Sequence, residues 1–303
     1  MTAVVTVTGL KKSFKHHEVI KGLDFSLTKG KCIALLGANG AGKTTSLQML
    51  SGLMRPSSGS IQFDGLEKGA DFRKWIGFLP QHPVFHEWMT GREFLEYAGK
   101  LAGLEKNEAK KRTEELLEMV GIADAKNRRI GKYSGGMKQR LGIAQAIIHR
   151  PKLVMLDEPV SALDPFGRRE VLELLERLKK ETTILFSTHI LNDAEEVCDE
   201  ILFLHNGQIV ESGAMEELRE KHGQAKIELE FKGNAEEFTE NFSAIVKNSD
   251  VTAEGNTIRI VADNVEGVKN LILKEIVDKN LSLLKFEISR TSLEDVFMKV
   301  VQK

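Results

Sequence analysis

The chain has 303 residues, 41% of them hydrophobic and 29% charged, and carries a formal net charge of −1; it is long enough for one large domain or two, each with a real core. That charge balance excludes a nucleic-acid coat and an acidic tail. No uninterrupted apolar run reaches the roughly 18 residues of a membrane span, and Met1-Thr2-Ala3-Val4-Val5 lacks the basic segment and apolar stretch of a signal peptide, so work at a membrane would require a partner to hold the chain there.

In chain order, residues 3–8 alternate apolar and polar as a strand does, and Leu23 to Leu27 repeats the alternation. Thr28-Lys29-Gly30 turns into the apolar run Cys32-Ile33-Ala34-Leu35-Leu36, which enters a glycine-rich loop, and a helix over about 43–51 leaves it. Short strands follow at Ser60 to Phe63 and near Trp75 to Leu79, the second closed by Pro80-Gln81. From about 83 to 150 the character is helical, with helices predicted over Glu93 to Leu101, Glu105 to Val120 and 135–149. Leu153 to Leu156 and Thr183 to Ser187 are buried strands on either side of a charged helix, Arg168 to Lys180. Strands alternating with helices predict an α/β fold with a parallel sheet covered on both sides and a helical insert. Glu200 to Leu204 and Gln208 to Val210 flank Asn206-Gly207, a hairpin signal.

A boundary near Lys221-His222-Gly223 divides residues 1–222 from an accessory domain, 223–303. There Ile227, Leu229 and Phe231, then Ile258 and Ile260, then Leu284, Phe286 and Ile288 alternate on strands, with helices near 235–246 and 265–279. A last helix begins at Thr291-Ser292 with Glu294, a capping-box pattern. This is a small α+β domain with no catalytic signature. Cys32 and Cys198 are far apart in sequence and form no metal-like pair.

The chemistry starts at Gly37-Ala38-Asn39-Gly40-Ala41-Gly42-Lys43-Thr44, followed by Thr45: a G-x-x-x-x-G-K-T phosphate-binding loop between a strand and a helix. The glycines let backbone N–H groups turn inward around phosphate oxygens, and the helix start adds free N–H groups and the positive end of its dipole. Lys43 would reach the β- and γ-phosphates and the Thr44 hydroxyl would ligate Mg²⁺. Asp157-Glu158 ends the apolar strand from Leu153. At a sheet's C-terminal edge Asp157 would hold Mg²⁺ through water and Glu158 would accept a proton from an attacking water; the competing interpretation is a solvated acidic turn closed by Pro159. Tyr133-Ser134-Gly135-Gly136-Met137 precedes a helix, which makes either an ordinary cap or a second phosphate-binding surface. Two such surfaces for one nucleotide point to the second serving another subunit's nucleotide.

The phosphate loop, the Ser-Gly-Gly signature and Asp157-Glu158, in this order and spacing, resemble the nucleotide-binding subunit of ABC transporters. The resemblance implies a P-loop NTPase core with an antiparallel β subdomain, ATP and Mg²⁺ as ligands, and hydrolysis coupled to transport. It implies that Phe14 stacks on adenine, that Gln81 touches Mg²⁺ or the water and senses the membrane subunit, and that His189 contacts the γ-phosphate. Ser161-Ala162-Leu163-Asp164 matches the loop lying across the dimer seam, so Asp164 joins Ser134, Gly135 and Gly136 as nucleotide-facing positions. It further implies a homodimer or heterodimer closing on ATP, a separate transmembrane permease, no nucleic acid, and a cytoplasmic site at the inner face of the cell membrane. Tyr133 and Met137 depart from the family's usual Leu and Gln. Tyr-Ser-Gly-Gly-Met and Ser292-Leu293-Glu294-Asp295-Val296-Phe297 are similar to the ABC-2-type branch that exports drugs, antibiotics or sodium. The rival classes are a soluble ABC ATPase of translation or DNA repair, and a nucleotide sensor without turnover.

Overall fold

The structure, a computed structural model, describes residues 2–15, 17–67, 70–161, 163–222, 225–233, 236–246, 250–262, 265–289, 293–294 and 297. The chain divides into two compact units, Met1–Met215 and Glu216–Lys303.

In the first unit, long strands β1 (Ala3–Phe14) and β2 (His17–Thr28) form an antiparallel hairpin, and β4 (Ser58–Phe63) pairs with the other side of β1. Between them in sequence lie β3 (Cys32–Leu36) and α1 (Lys43–Leu50). β5 (Ile76–Leu79), β6 (Leu153–Asp157), β7 (Thr183–Thr188), β8 (Glu200–His205) and β9 (Gln208–Ala214) complete a six-stranded sheet with β3, in the order β5-β6-β7-β3-β8-β9. All its pairs are parallel except β8 with β9. Continuous burial of β3, β6 and β7 follows from their unbroken apolar runs, since helices cover both faces of a parallel sheet. Val5, Leu10, Leu23, Leu47 and Met155 belong to one core, which joins the antiparallel sheet, α1 and the parallel sheet.

The helical region contains α2 (Gly91–Leu101), α3 (Lys106–Met119) and α4 (Gly135–Ile147), with α5 (Pro165–Leu178) following β6. Thr90 opens α2 with a capping box: its hydroxyl accepts from the Glu93 amide while the Glu93 carboxylate accepts from the Thr90 amide. α5 starts three residues before the sequence pattern indicates, because Asp164 caps it and Pro165 suits its first turn. A seven-residue helix, α6 (Leu191–Val197), was not foreseen; it is too short to show a helical period. At the tip of the β8–β9 hairpin Asn206 and Gly207 have φ of 48° and 79°. A Cβ on Gly207 would stand 2.2 Å from the Val19 carbonyl oxygen, so the turn needs glycine both for conformation and for close approach.

In the second unit, α7 (Met215–His222) begins at the division and was also unforeseen. Then β10 (Ala225–Phe231), α8 (Glu236–Ile245), β11 (Asp250–Glu254), β12 (Thr257–Ala262), α9 (Val265–Asp278) and β13 (Leu283–Ser289) follow. The sheet order β11-β12-β10-β13, antiparallel throughout, with one helix in each crossover, is the ferredoxin-like β-α-β-β-α-β arrangement. Ile227, Leu229, Phe231, Phe242, Ile260 and Ile272 form its core. The capping box at Thr291-Ser292 lies outside the described residues.

Cys32 and Cys198 are both free thiols, and the fold brings these sequence-distant residues together. Burial, then the neighbouring Cys32 thiol, push the Cys198 thiol well above its ordinary value.

Candidate functional site

Strand register decides which loops meet. Leu36 lies beside Thr188, Asp157 beside Ser187 and Leu79 beside Leu156. The loops leaving β3, β5, β6 and β7 therefore emerge from one edge of the sheet, at its carboxyl ends, where α/β folds bind ligands. Those loops carry Gly37 to Gly42, Gln81, Glu158 and His189. They bound an open cavity of about 430 Å³ with Asn39, Gly40, Gly42, Lys43, Thr44, Thr45, Gln81 and Glu158 in its wall.

The phosphate loop is shaped by contacts on its outer side. Gly42 has a φ of 108°, and a Cβ there would reach within 2.5 Å of Ile20 Cδ1. A Cβ on Gly37 would meet the Leu204 carbonyl oxygen at 2.3 Å. Gly37 N–H donates to the Thr188 carbonyl, 3.3 Å, and Gly207 N–H to the Ala41 carbonyl, 3.1 Å. Ala41 is buried in the core, with Ala38 accepting from its amide at 3.1 Å. α1 starts at Lys43 with no side chain capping it, so its first amide groups remain available for an anion.

Lys43 is 5% exposed, and its Nζ donates to the carbonyls of Gly37, 2.8 Å, and Ala38, 3.3 Å. The same Nζ stands 3.4 Å from Glu158 Oε1. Glu158, only 10% exposed, also meets Gln81 Nε2 at 3.1 Å and His189 Nδ1 at 3.2 Å. Glu158 holds a φ of 48°, unusual for a residue with a Cβ. Ser187 supports that turn: its Oγ donates to Asp157 Oδ1, 2.6 Å, and accepts from the Glu158 amide, 2.9 Å. One carboxylate thus faces an ammonium, an imidazole and an amide at the mouth of a phosphate loop.

No group of three or more His, Cys, Asp or Glu able to hold a metal occurs among the described residues. A cation carried on phosphate needs fewer protein donors. The exposed Thr44 hydroxyl at the cavity and the buried Asp157 carboxylate at the end of β6 are suitable oxygen donors for one.

The remaining sequence-predicted residues Phe14, Ser134, Gly135, Gly136 and Asp164 are not among those that line this cavity. Phe14 ends β1, is 45% exposed, and has Lys12 Nζ 5.1 Å from its ring centroid. Ser134 caps α4, accepting from the Met137 amide at 3.2 Å, while Gly135 and Gly136 form the first turn. A Cβ on Gly136 would lie 3.7 Å from Leu163 Cδ2, so this turn sits beside the loop that ends in Asp164. The Asp164 carboxylate accepts from the Gly167 amide, 2.8 Å; Ala162 lies outside the described residues. Tyr133 has a structural reason for replacing the family's leucine: it is buried, donates to the Ala125 carbonyl at 2.8 Å, and packs against Gly91. Burial raises its phenol above the ordinary value.

Sequence reasoning missed three features. Val19 on β2 lines the cavity through a hairpin whose position no local motif announces. Ser187 organises both carboxylates, and its only signal is a hydroxyl at the end of a buried strand. Arg168 and buried Asp193 form an ion pair beside Thr188. Burial raises the Asp193 carboxyl and Arg168 opposes that rise.

Residues 20–161 match the family model described as ABC transporter, and residues 213–301 match that of the C-terminal domain of DrrA1-3-like ATP-binding proteins. The chain is 46% identical to the ABC transporter ATP-binding protein YxlF of Bacillus subtilis (strain 168), over 98% of this chain and 99% of that protein. It is 33% identical to the linearmycin resistance ATP-binding protein LnrL of the same organism, over 95% of each. Among solved structures, an ATP binding subunit of an ABC transporter superposes with a TM-score of 0.65 at 32% identity, covering 72% of this chain and 92% of that one.

Proposed function

Because the chain belongs to the ATP-binding subunits of ABC transporters, we propose that its cavity hydrolyses ATP between two subunits to power export through a separate ABC-2-type membrane protein. The observation that carries this reading is Glu158, held within 3.4 Å of Lys43, His189 and Gln81. A triphosphate would compete for Lys43 with the oxygens of Gly37, Ala38 and Glu158. The amide groups of Asn39, Gly40 and Gly42 to Thr45 receive the phosphates, and Phe14 stacks on the adenine. Mg²⁺, held by Thr44, Asp157 and Gln81, would neutralise phosphate charge when bound. Glu158 accepts a proton from the attacking water, Gln81 orients that water, and Lys43 and His189 offset charge developing on the γ-phosphate.

Ser134, Gly135, Gly136 and Asp164 are the complementary surface for the partner's nucleotide. None of the four lines this cavity, and the first turn of α4 carries amides that an anion brought by a second subunit can reach. ATP then joins the subunits, and hydrolysis releases them. Residues 1–222 act as the ATPase domain and 223–303 as an accessory domain. The insert near Pro83 to Tyr97, where Val84 is 91%, Trp88 69% and Tyr97 44% exposed, passes this motion to the membrane subunit. No helix among the described residues is long and apolar enough to cross a membrane, and the chain works as a peripheral protein at the cytoplasmic face. The resistance function in the name of LnrL, with the DrrA1-3-like C-terminal domain, favours a drug or antibiotic as cargo over a soluble ATPase role.

The test is Glu158→Gln. It should bind ATP, accumulate as an ATP-trapped dimer that brings a membrane subunit with it from membranes, and release phosphate at least about a hundredfold more slowly. Turnover at the wild-type rate would remove Glu158 from the mechanism, and a trapped dimer with no membrane subunit would count against transport.

A further inference from the structure

The ion pair of Arg168 and Asp193 connects two parts of the molecule that the mechanism uses separately. Asp193 in α6 is fully buried, and a buried carboxylate is costly unless paired and hydrogen-bonded. Here it is both. Arg168 Nε donates to Oδ1 at 2.5 Å, and the Thr188 hydroxyl donates to Oδ2 at 3.1 Å. Replacing a buried pair by apolar side chains is often neutral or stabilising, so the pair is weak evidence for stability and its geometry is the feature to follow.

The geometry concerned is specific. Arg168 sits in the first turn of α5, and its amide donates to the carbonyl of Asp164, 2.9 Å away, the residue that caps the helix and is assigned above to the partner's nucleotide. Thr188 precedes His189; its Oγ accepts from the Ile190 amide at 3.0 Å, so the hydroxyl braces the turn that carries the imidazole. The Thr188 carbonyl in turn accepts from Gly37, the first residue of the phosphate loop. Beside this pair, an open depression of about 480 Å³ lies between α5 and α6, bordered by Leu163, Pro165, Arg168 and Asn192. Arg168 therefore stands in the wall of this depression, with its partner Asp193 buried.

We infer that Asp193 is a positioning residue: through Arg168 and Thr188 it ties the helix that begins at Asp164 to the His189 turn. Arrival of the partner subunit at Asp164 is thereby registered at His189. This rests on the proposed role of His189, and the experiment separates the two.

Steady-state ATP hydrolysis is measured for Asp193→Asn, Arg168→Lys, His189→Ala and the double variant Asp193→Asn/His189→Ala. Asp193→Asn keeps an acceptor for Thr188 and loses the charge that orients Arg168. It should lower kcat roughly ten- to a hundredfold, as a misplaced group does, with KM for ATP and equilibrium ATP affinity unchanged. In the His189→Ala background the same substitution should cost nothing further, because its effect passes through His189. Arg168→Lys, at a more exposed position, should repeat the split of kcat from KM and supplies the test if Asp193→Asn does not fold. An additive double variant, a change in KM rather than kcat, or full activity in both single variants would overturn the inference. Full activity of His189→Ala would instead overturn the role given to His189.

Discussion

Among single residues, Ser187 has the largest effect for its size. It holds the Asp157 carboxylate and the Glu158 amide with one hydroxyl. Ser187→Ala should leave that partly buried amide unpaired and lower unfolding free energy by about 1 kcal/mol, read from the urea midpoint. ATP turnover should fall with it, because the turn that aims Glu158 at a φ of 48° loses its support. Of the cavity residues, Lys43 and Thr44 were legible through the set spacing of the phosphate loop, Glu158 through its place at the end of an apolar strand, and Gln81 through the family resemblance. Ser187, Val19 and Asp193 were not, because their roles depend on a neighbour in space and leave no periodic or spaced signal.

Among elements, α2 and α3 are held together by charge as well as by apolar packing. Glu114 on α3 meets Lys126 Nζ and Arg92 Nε, each at 2.7 Å. The hydrogen bond from Lys126 is the main cause that holds its carboxyl below the ordinary value of 4.5. A depressed carboxyl contributes stability above its unfolded value and loses it as pH falls through the folded one. Glu114→Gln should therefore lower the urea midpoint at pH 7, and the difference should shrink as pH falls below about 4.5 and vanish below the depressed folded value. At 44% exposure the effect is small, about 0.5 kcal/mol, and 1 M salt should shrink it further. Strongly apolar strands and the longer helices were legible at this scale through their periods. β11, a polar edge strand, and the short helices α6 and α7 were not, because their identity comes from what they pair with or pack against.

For the whole molecule, two compact units, each with a buried core of its own, imply two cooperative units. Calorimetry of the full-length Glu158→Gln protein should resolve two transitions. ATP at a hundred times its dissociation constant should stabilise the unit of residues 1–215 by about 2.7 kcal/mol and leave that of 216–303 in place. A single transition moving as a whole would show instead that the units unfold as one.

The sequence alone determined the chemistry of phosphate binding, the alternation of strands and helices, and the family. Each of these rests on local constraints: backbone that must bend around an anion, side chains that must face a core, motifs at set spacing. Only the tertiary structure decided what surrounds Glu158, since Lys43, Gln81 and His189 reach it from three other loops through the order β5-β6-β7-β3. It also decided which predicted nucleotide contacts line this cavity and which do not, with Ser134 and Asp164 capping helices beside one another. Strand order and loop proximity are properties of long-range pairing, which no short stretch of residues encodes.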